Sequence, residues 1–346
     1  MKILIINEGL SDNLGDQAIN DSLFYLARLN GVDDITHADF TKNISIPNEI
    51  SIHNVKRGKL IFIKKLLPVK LYWFLKNFSR INQISKGKYD KVIIGGGQLL
   101  LSNNYFSVAL FTWITFLKFY HNHKIIIFSV GSGSKFRLAD KILFKYALKK
   151  ADSVFVRDFK SQVFSKTFFN IKSNFVYDVA FMHNKFLKIE KRKTDQILLG
   201  VVSYDIYVRY NSIFKSKDQY YKSWIKLLDK NKIDIKNVKL FYTTQYDRET
   251  SLDFKDYLFK YLNIELSIVE TKDKYTLIRE INKSQKIISA RMHALILALT
   301  YKTEIIPYNI SDKISSLSEM VKYNFDLENI QNDIKIKFKK ALNEEI

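Results

Sequence analysis

The chain of 346 residues has no cysteine. Disulfides, thiolate metal sites and cysteine nucleophiles are excluded, and the composition fits a reducing compartment. Proline is scarce, with three residues, and glycine is low, with eleven. Ten of the glycines lie before residue 134, so glycine-dependent turns belong to the first half. Long apolar runs are missing too. The longest nearly apolar stretch, Val108 to Leu117, falls well short of the ~20 residues a spanning helix needs. The opening Met1-Lys2-Ile3-Leu4-Ile5-Ile6-Asn7 has too short an apolar core for a secretory signal and reads as a first buried strand. Acidic residues are few: 35 Asp and Glu stand against 56 Lys and Arg, a formal net charge of +21.

What is present is enough for real cores. Hydrophobic residues make up 47% of the chain, which excludes a disordered protein, and the length suits two domains. The positive excess is uneven. Lys56 to Lys88 holds ten Lys and Arg and no Asp or Glu. Within it, Pro68 can start a helix with an apolar stripe at Leu71, Phe74, Leu75 and Phe78. Lys76 and Arg80 fall on the opposite face, with Tyr72 and Trp73 toward the charged side. Such a helix suits an anionic membrane surface. No nucleic-acid motif accompanies it, so no nucleic-acid partner is expected.

Strand-like and helix-like segments alternate along the chain. Ile3 to Ile6, Lys91 to Ile94, Lys124 to Val130 and Ser153 to Val156 read as strands. Helical patterns over Ala18 to Leu29, Phe106 to Phe119 and Leu138 to Leu148 separate them. After a charged, aperiodic stretch the pattern restarts with strands at Ile197 to Val202, Val238 to Tyr242, Leu266 to Val269, Lys286 to Ser289 and Thr303 to Ile306. This order predicts an α/β fold of two Rossmann-like, doubly wound domains facing a cleft. We place them at 1–190, with a basic insertion at about 56–88, and at 195–320. A basic C-terminal helix follows at 321–346.

Four junctions after strands carry the chemistry. Ser289-Ala290-Arg291-Met292-His293-Ala294 puts a cation and an imidazole where a helix begins, and helix N–H groups attract anions. Asn13-Leu14-Gly15-Asp16 follows the first strand. Asp16 is either a residue favoured by the helix dipole or a carboxylate that binds or deprotonates a hydroxyl. Gly95-Gly96-Gly97-Gln98 and Gly131-Ser132-Gly133 allow close backbone approach. They match neither a P-loop nor a dinucleotide fingerprint, and tight packing explains them equally. Arg157-Asp158 ends a strand, as a surface ion pair or cap or as a clamp on a carboxylate or phosphate. Asp178 carries the same two readings. Of the six histidines, His293 is the catalytic candidate. His37, His53, His121, His123 and His183 show no obvious partner. His121-x-His123 lacks a nearby acid, so no metal is expected.

Taken in order, Asn13-Leu14-Gly15-Asp16, Ile94-Gly95-Gly96-Gly97, Ser129-Val130-Gly131, Val156-Arg157-Asp158 with Ser161, Asp178-Val179-Ala180, Arg291-Met292-His293-Ala294 and Tyr308-Asn309 resemble the polysaccharide pyruvyl transferase family. The resemblance runs from about residue 3 to about 313. The chain departs from it where Ser311-Asp312 precede Lys313, and where Ser132-Gly133-Ser134-Lys135 replaces a turn leading to proline. The resemblance implies a fold similar to the B-type glycosyltransferases. It also implies transfer of pyruvate from phosphoenolpyruvate to a sugar of a surface polysaccharide or its lipid-linked precursor, as a ketal. By matching positions it gives Arg157, Arg291, Met292 and Gly131 to the donor. Asn13, Gly15, Gly95, Gly96, Gly97, Gln98, Asp178, Tyr308, Asn309 and Lys313 go to the acceptor or cleft. His293, Arg291 and Asp16 go to catalysis. No cofactor beyond the co-substrate is implied. The expected location is the cytoplasm, peripheral on the inner face of the cell membrane.

Two other readings stay open. A metal-independent nucleotide-sugar glycosyltransferase has the same two-domain shape, and the absence of an Asp-x-Asp triplet argues only against the metal-dependent type. A basic membrane- or nucleic-acid-binding protein would need neither Arg291 nor His293.

Overall fold

The computed structural model describes residues 1–42, 68–103, 105–190, 194–211 and 213–343. His53 and the first part of the basic stretch, 56–67, lie outside them. The chain divides into two compact units. One comprises Met1–Ser11, Leu23–Val179 and Asp333–Ile346; the other comprises Asp12–Ser22 and Ala180–Asn332. Relative to a cut at 190–195 with a separate terminal helix, two stretches change places. Residues 12–22 join the later unit, and the chain end joins the earlier one.

The first unit runs β1 (Lys2–Asn7), α1 (Leu14–Leu29), β2 (Asp34–Asp39), α2 (Val69–Ser85), β3 (Lys91–Gly95), α3 (Phe106–His121), β4 (Ile125–Val130), α4 (Leu138–Lys150), β5 (Ser153–Val156), α5 (Phe159–Phe169) and β6 (Asn174–Phe175). The early part of α1 belongs to the second unit. All strands pair in parallel, in the order β2-β1-β3-β4-β5-β6. Ile3 to Ile6, Val92 to Ile94 and Ile125 to Phe128 are buried without alternation, as strands covered on both faces must be. Right-handed crossovers put α2 to α5 on one face of the sheet. The end of the chain lays Phe338 against Phe128, with ring centroids 5.1 Å apart. Scarce glycine has a local consequence. Helices α3 and α5 end on Asn122 and Asn170 in left-handed conformations (φ 46° and 55°), asparagine standing where glycine is usual.

Helix α2 is rotated from the sequence reading. Trp73, assigned to the charged side, is buried with Asn77 and Ile81, and its indole N–H donates to Thr41 O. Arg80 also turns inward and donates to Asp39 O at 2.7 Å. Leu71, Leu75 and Phe78 remain exposed. The helix carries two apolar faces, and the indole has the larger area to bury.

From Ala180, inside a 3-10 turn (Val179–Met182), the second unit runs through α6 (His183–Phe186), β7 (Ile197–Gly200), α7 (Tyr204–Tyr210), α8 (Lys217–Lys230), β8 (Val238–Leu240), α9 (Gln245–Leu262), β9 (Ser267–Ile268), α10 (Lys274–Lys283), β10 (Lys286–Ser289), α11 (Met292–Thr300), β11 (Glu304–Pro307), α12 (Asp312–Asn324) and the start of α13 (Leu327–Asn343). Its parallel sheet is ordered β11-β10-β7-β8-β9. Ser203, Ser216, Thr244 and Asp273 cap α7, α8, α9 and α10 with side-chain oxygens.

Each sheet reverses its winding once, and ligands bind outside the carboxyl ends of the strands at that point. In the first sheet the reversal lies between β1 and β3, where β3 ends in Gly95-Gly96-Gly97. In the second it lies between β7 and β10, where β10 leads into Arg291 and His293.

Gly95 is fixed by the neighbouring strand: a Cβ there would stand 2.1 Å from Phe128 O. At Gly133 the nearest atom is the tip of Leu101, which can rotate away. Gly95→Ala should therefore cost about 3 kcal/mol in urea unfolding, and Gly133→Ala below about 1 kcal/mol. Equal costs would mean that the β3–β4 approach is not what requires glycine.

Candidate active site

In the second unit the starts of three helices are tied together. Leu14 N–H, opening α1, donates to Thr243 O at 3.0 Å, in the loop before α9. Asp247, in the first turn of α9, binds Arg291 at the start of α11. Arg291 Nε donates to Asp247 Oδ2 at 2.9 Å, and Nη2 donates to Oδ1. His293, in the first turn of α11, lies against Gly15 in the first turn of α1. A Cβ on Gly15 would stand 2.5 Å from His293 Cβ and 2.8 Å from Nδ1. Three helix N-termini brought together make a setting for an anion, because each offers partial positive charge and N–H donors.

The polar side chains are interlocked. Asn13 Oδ1 accepts from Gly15 N–H at 3.0 Å, and its amide donates to Asp16 Oδ2 at 2.9 Å. Asp16 Oδ1 lies 3.9 Å from His293 Nδ1. Thr243 Oγ1 donates to Asp247 Oδ2 at 2.9 Å, and Asp247 N–H donates to Thr244 Oγ1. Asp247 is 2% exposed while Arg291 is 26% exposed. The buried carboxylate thus aims an arginine that still reaches solvent. Sequence reasoning missed Asp247. Its signal is the capping pattern Thr244-x-x-Asp247 directly after a strand.

Beside these residues a cavity of about 620 Å³ is lined by Asp12, Leu14, Tyr242, Thr243, Arg248 and Glu270, among others. Arg248 pairs with Glu270 through two nitrogens, and Tyr242 donates to Glu270 at 2.8 Å. Burial, then the bond to Glu270, pushes the Tyr242 phenol up to about 12. Hydrogen bonds from Arg248 and Tyr242 hold the Glu270 carboxyl below its ordinary value.

Other expected residues lie elsewhere in this unit. Tyr308 stacks on Trp224 with ring centroids 4.1 Å apart and shares a hydrogen bond with Ser223. Burial pushes its phenol up to about 12. Asn309 accepts from Ser318, and Lys313 lies in the first turn of α12. Met292 opens α11.

The first unit holds a second constellation. Arg157, at the end of β5, donates from Nη1 to Asp178 Oδ2 at 2.9 Å, and both side chains are 2% exposed. Gly131 packs directly on that guanidinium. Arg157 and Asp178 thus form a buried pair. The surface ion pair weighed for Arg157 is corrected, and a clamp on a ligand would need the guanidinium to be reached. Gly131 N–H donates to Gly97 O at 2.8 Å, linking the two glycine turns, and Gln98 donates to Ser132 O. Asp158 caps α5 through Ser161 N–H, and Ser161 Oγ accepts from Ser132 N–H.

Four of the remaining histidines do have partners, which corrects the sequence reading. His37 meets Asn7 Oδ1, His121 meets Lys86 O and His123 meets Tyr89 O. His183 is buried between Tyr301 and Asp21. Burial lowers the pKa of His37. Among the described residues no group of three or more His, Asp or Glu is placed to hold a metal.

The Gly15–His293 contact is testable by a double-mutant cycle. Gly15→Ala should cost about 2 kcal/mol alone. Combined with His293→Gly, which removes the opposing Cβ, most of that cost should vanish, a coupling of about 1–2 kcal/mol. Additive costs would mean that the two first turns do not meet.

Comparison with known proteins agrees with this architecture. Two structures of UDP-GlcNAc 2-epimerase from Methanocaldococcus jannaschii align over 100% of this chain and 94% of theirs. Each is 13% identical; TM-scores are 0.53 and, for the complex with UDP-GlcNAc and UDP, 0.54. At that identity the likeness concerns the fold, a Rossmann-like two-domain arrangement. No curated protein matches the sequence. The profile of the family described as Polysaccharide pyruvyl transferase matches residues 13–312, from the Asn13 turn past the Arg291–His293 junction to the start of α12. The chain belongs to the polysaccharide pyruvyl transferase family.

Proposed function

We propose that the protein moves pyruvate from phosphoenolpyruvate to a sugar of a cell-surface polysaccharide or of its lipid-linked precursor, forming a cyclic ketal. The observation that carries the reading is the junction of α1, α9 and α11. It presents Arg291, His293 and Asp16 together with three helix N-termini. Phosphoenolpyruvate carries a carboxylate and a phosphate, and this arrangement of a guanidinium and helix N–H groups favours an anion.

The chemistry divides among these side chains. A sugar hydroxyl adds to the enol carbon of phosphoenolpyruvate, and Asp16 takes its proton. His293 delivers a proton to the methylene carbon, which becomes a methyl group. The C–O bond to phosphate then breaks, and inorganic phosphate leaves with the electron pair. Arg291 and the helix N–H groups stabilise its charge. A second hydroxyl attacks the same carbon and loses its proton, closing the ring. The acceptor fits the polar cavity beside Leu14 and Thr243, where Tyr242, Arg248 and Glu270 offer donors and acceptors suited to hydroxyls. Arg157 contributes by shaping the glycine turns of the first unit.

The test is label transfer from carbon-labelled phosphoenolpyruvate to an acceptor glycan, with release of inorganic phosphate. Arg291→Ala and His293→Ala should each lower transfer by about a hundredfold or more. Near wild-type transfer by His293→Ala would remove the acid role. Sugar transfer from a nucleotide sugar, with no need for phosphoenolpyruvate, would establish the glycosyltransferase reading instead.

A further inference from the structure

Helices α2, α3 and α4 stand side by side on one face of the first sheet. Their outer surface is unusual for a protein in water. Leu71, Leu75 and Phe78 form an exposed stripe at helical spacing on α2, and Leu138, Ile142 and Tyr146 form another on α4. Between them on α3, Phe119 is 77% exposed. Ring contacts bridge the helices: Phe78 meets Phe116 at 5.4 Å, and Phe111 meets Tyr146 at 5.1 Å. Exposed apolar side chains grouped on neighbouring helices, unlike singly scattered ones, mark an interaction site.

Charge identifies the partner. The three helices contain eight Lys and Arg and a single acidic residue, Asp140. That residue is buried. Burial opposes its ionisation, yet hydrogen bonds from Lys70, Ser102 and Ser107 outweigh this and hold its pKa below the ordinary value. Lys76, Lys145, Lys149 and Lys150 are exposed around the apolar stripes. Apolar groups ringed by lysines, without exposed carboxylates, fit an anionic lipid surface: rings and aliphatic chains enter the headgroup boundary while ammonium groups meet lipid phosphates. Nucleic acid would use the lysines and leave Leu75, Ile142 and Leu138 in water. A second copy of the chain would set the same positive face against itself.

We infer that the outer face of α2, α3 and α4 docks the protein on anionic membrane. Of the basic stretch at 56–88 it uses the part described in α2, and it adds α3 and α4. It is independent of pyruvyl transfer: docking without transfer would sink only the proposed activity. The full chain should sediment with vesicles of equimolar phosphatidylcholine and phosphatidylglycerol, and not with phosphatidylcholine alone. Leu75→Ser/Phe78→Ser/Phe119→Ser should weaken sedimentation about tenfold, as should Lys145→Glu/Lys149→Glu/Lys150→Glu. These side chains are exposed, and unchanged thermal unfolding of the variants would exclude misfolding. Since folding could still fail, Phe119→Trp alone gives a second readout. Its indole should be quenched by brominated lipid in the anionic vesicles. Binding to neutral vesicles as strongly, undiminished binding by both triple variants, or no quenching at position 119 would each overturn the inference. So would a concentration-dependent dimer abolished by the same three serines.

Discussion

The site in the second unit rests on a missing side chain. Gly15 lets the first turn of α1 come against His293, closer than any Cβ permits. With alanine there, the α1 and α11 N-termini would have to part, and Asp16 and His293 would separate with them. The rest of the constellation follows from this contact. Leu14 binds Thr243 O, the Thr243–Thr244 loop sets the start of α9, and α9 places Asp247 under Arg291. Local backbone geometry is thus passed along a chain of hydrogen bonds to Arg291, whose guanidinium it orients.

Electrostatics explains why the arginine is paired. A guanidinium held by a buried carboxylate keeps one geometry, at the cost of part of its charge. Helix N-termini restore positive potential without another mobile cation. The same economy recurs in the first unit, where Arg157 and Asp178 are buried together beneath the glycine turns. There the pairing is deeper, and the arginine shapes backbone.

Much of this was legible in the sequence. The strand-then-helix junction at Ser289–Ala294 was read with its cation, its imidazole and its helix start, because β-branched residues give way abruptly to an apolar helical period. The parallel sheets were legible from apolar runs bounded by turns. Strand β2 and helix α5 were missed: β2 is polar in four of its six positions, and α5 lacks a clear apolar stripe. Asp247 was missed because its meaning comes from a partner 44 residues away. The rotation of α2 was hidden for another reason. A helix with two apolar faces does not say which one the protein covers, and Trp73 decides it by finding an acceptor in Thr41 O.

The most direct test of the account is thermal stabilisation by phosphoenolpyruvate, beside a panel of nucleotide sugars, on wild type and Arg291→Ala. A ligand at ~100 times its dissociation constant stabilises by about 2.7 kcal/mol, which such a scan resolves. The account predicts stabilisation by phosphoenolpyruvate that disappears in Arg291→Ala, and none from nucleotide sugars. Stabilisation by a nucleotide sugar alone, or by phosphoenolpyruvate equally in both proteins, would contradict it.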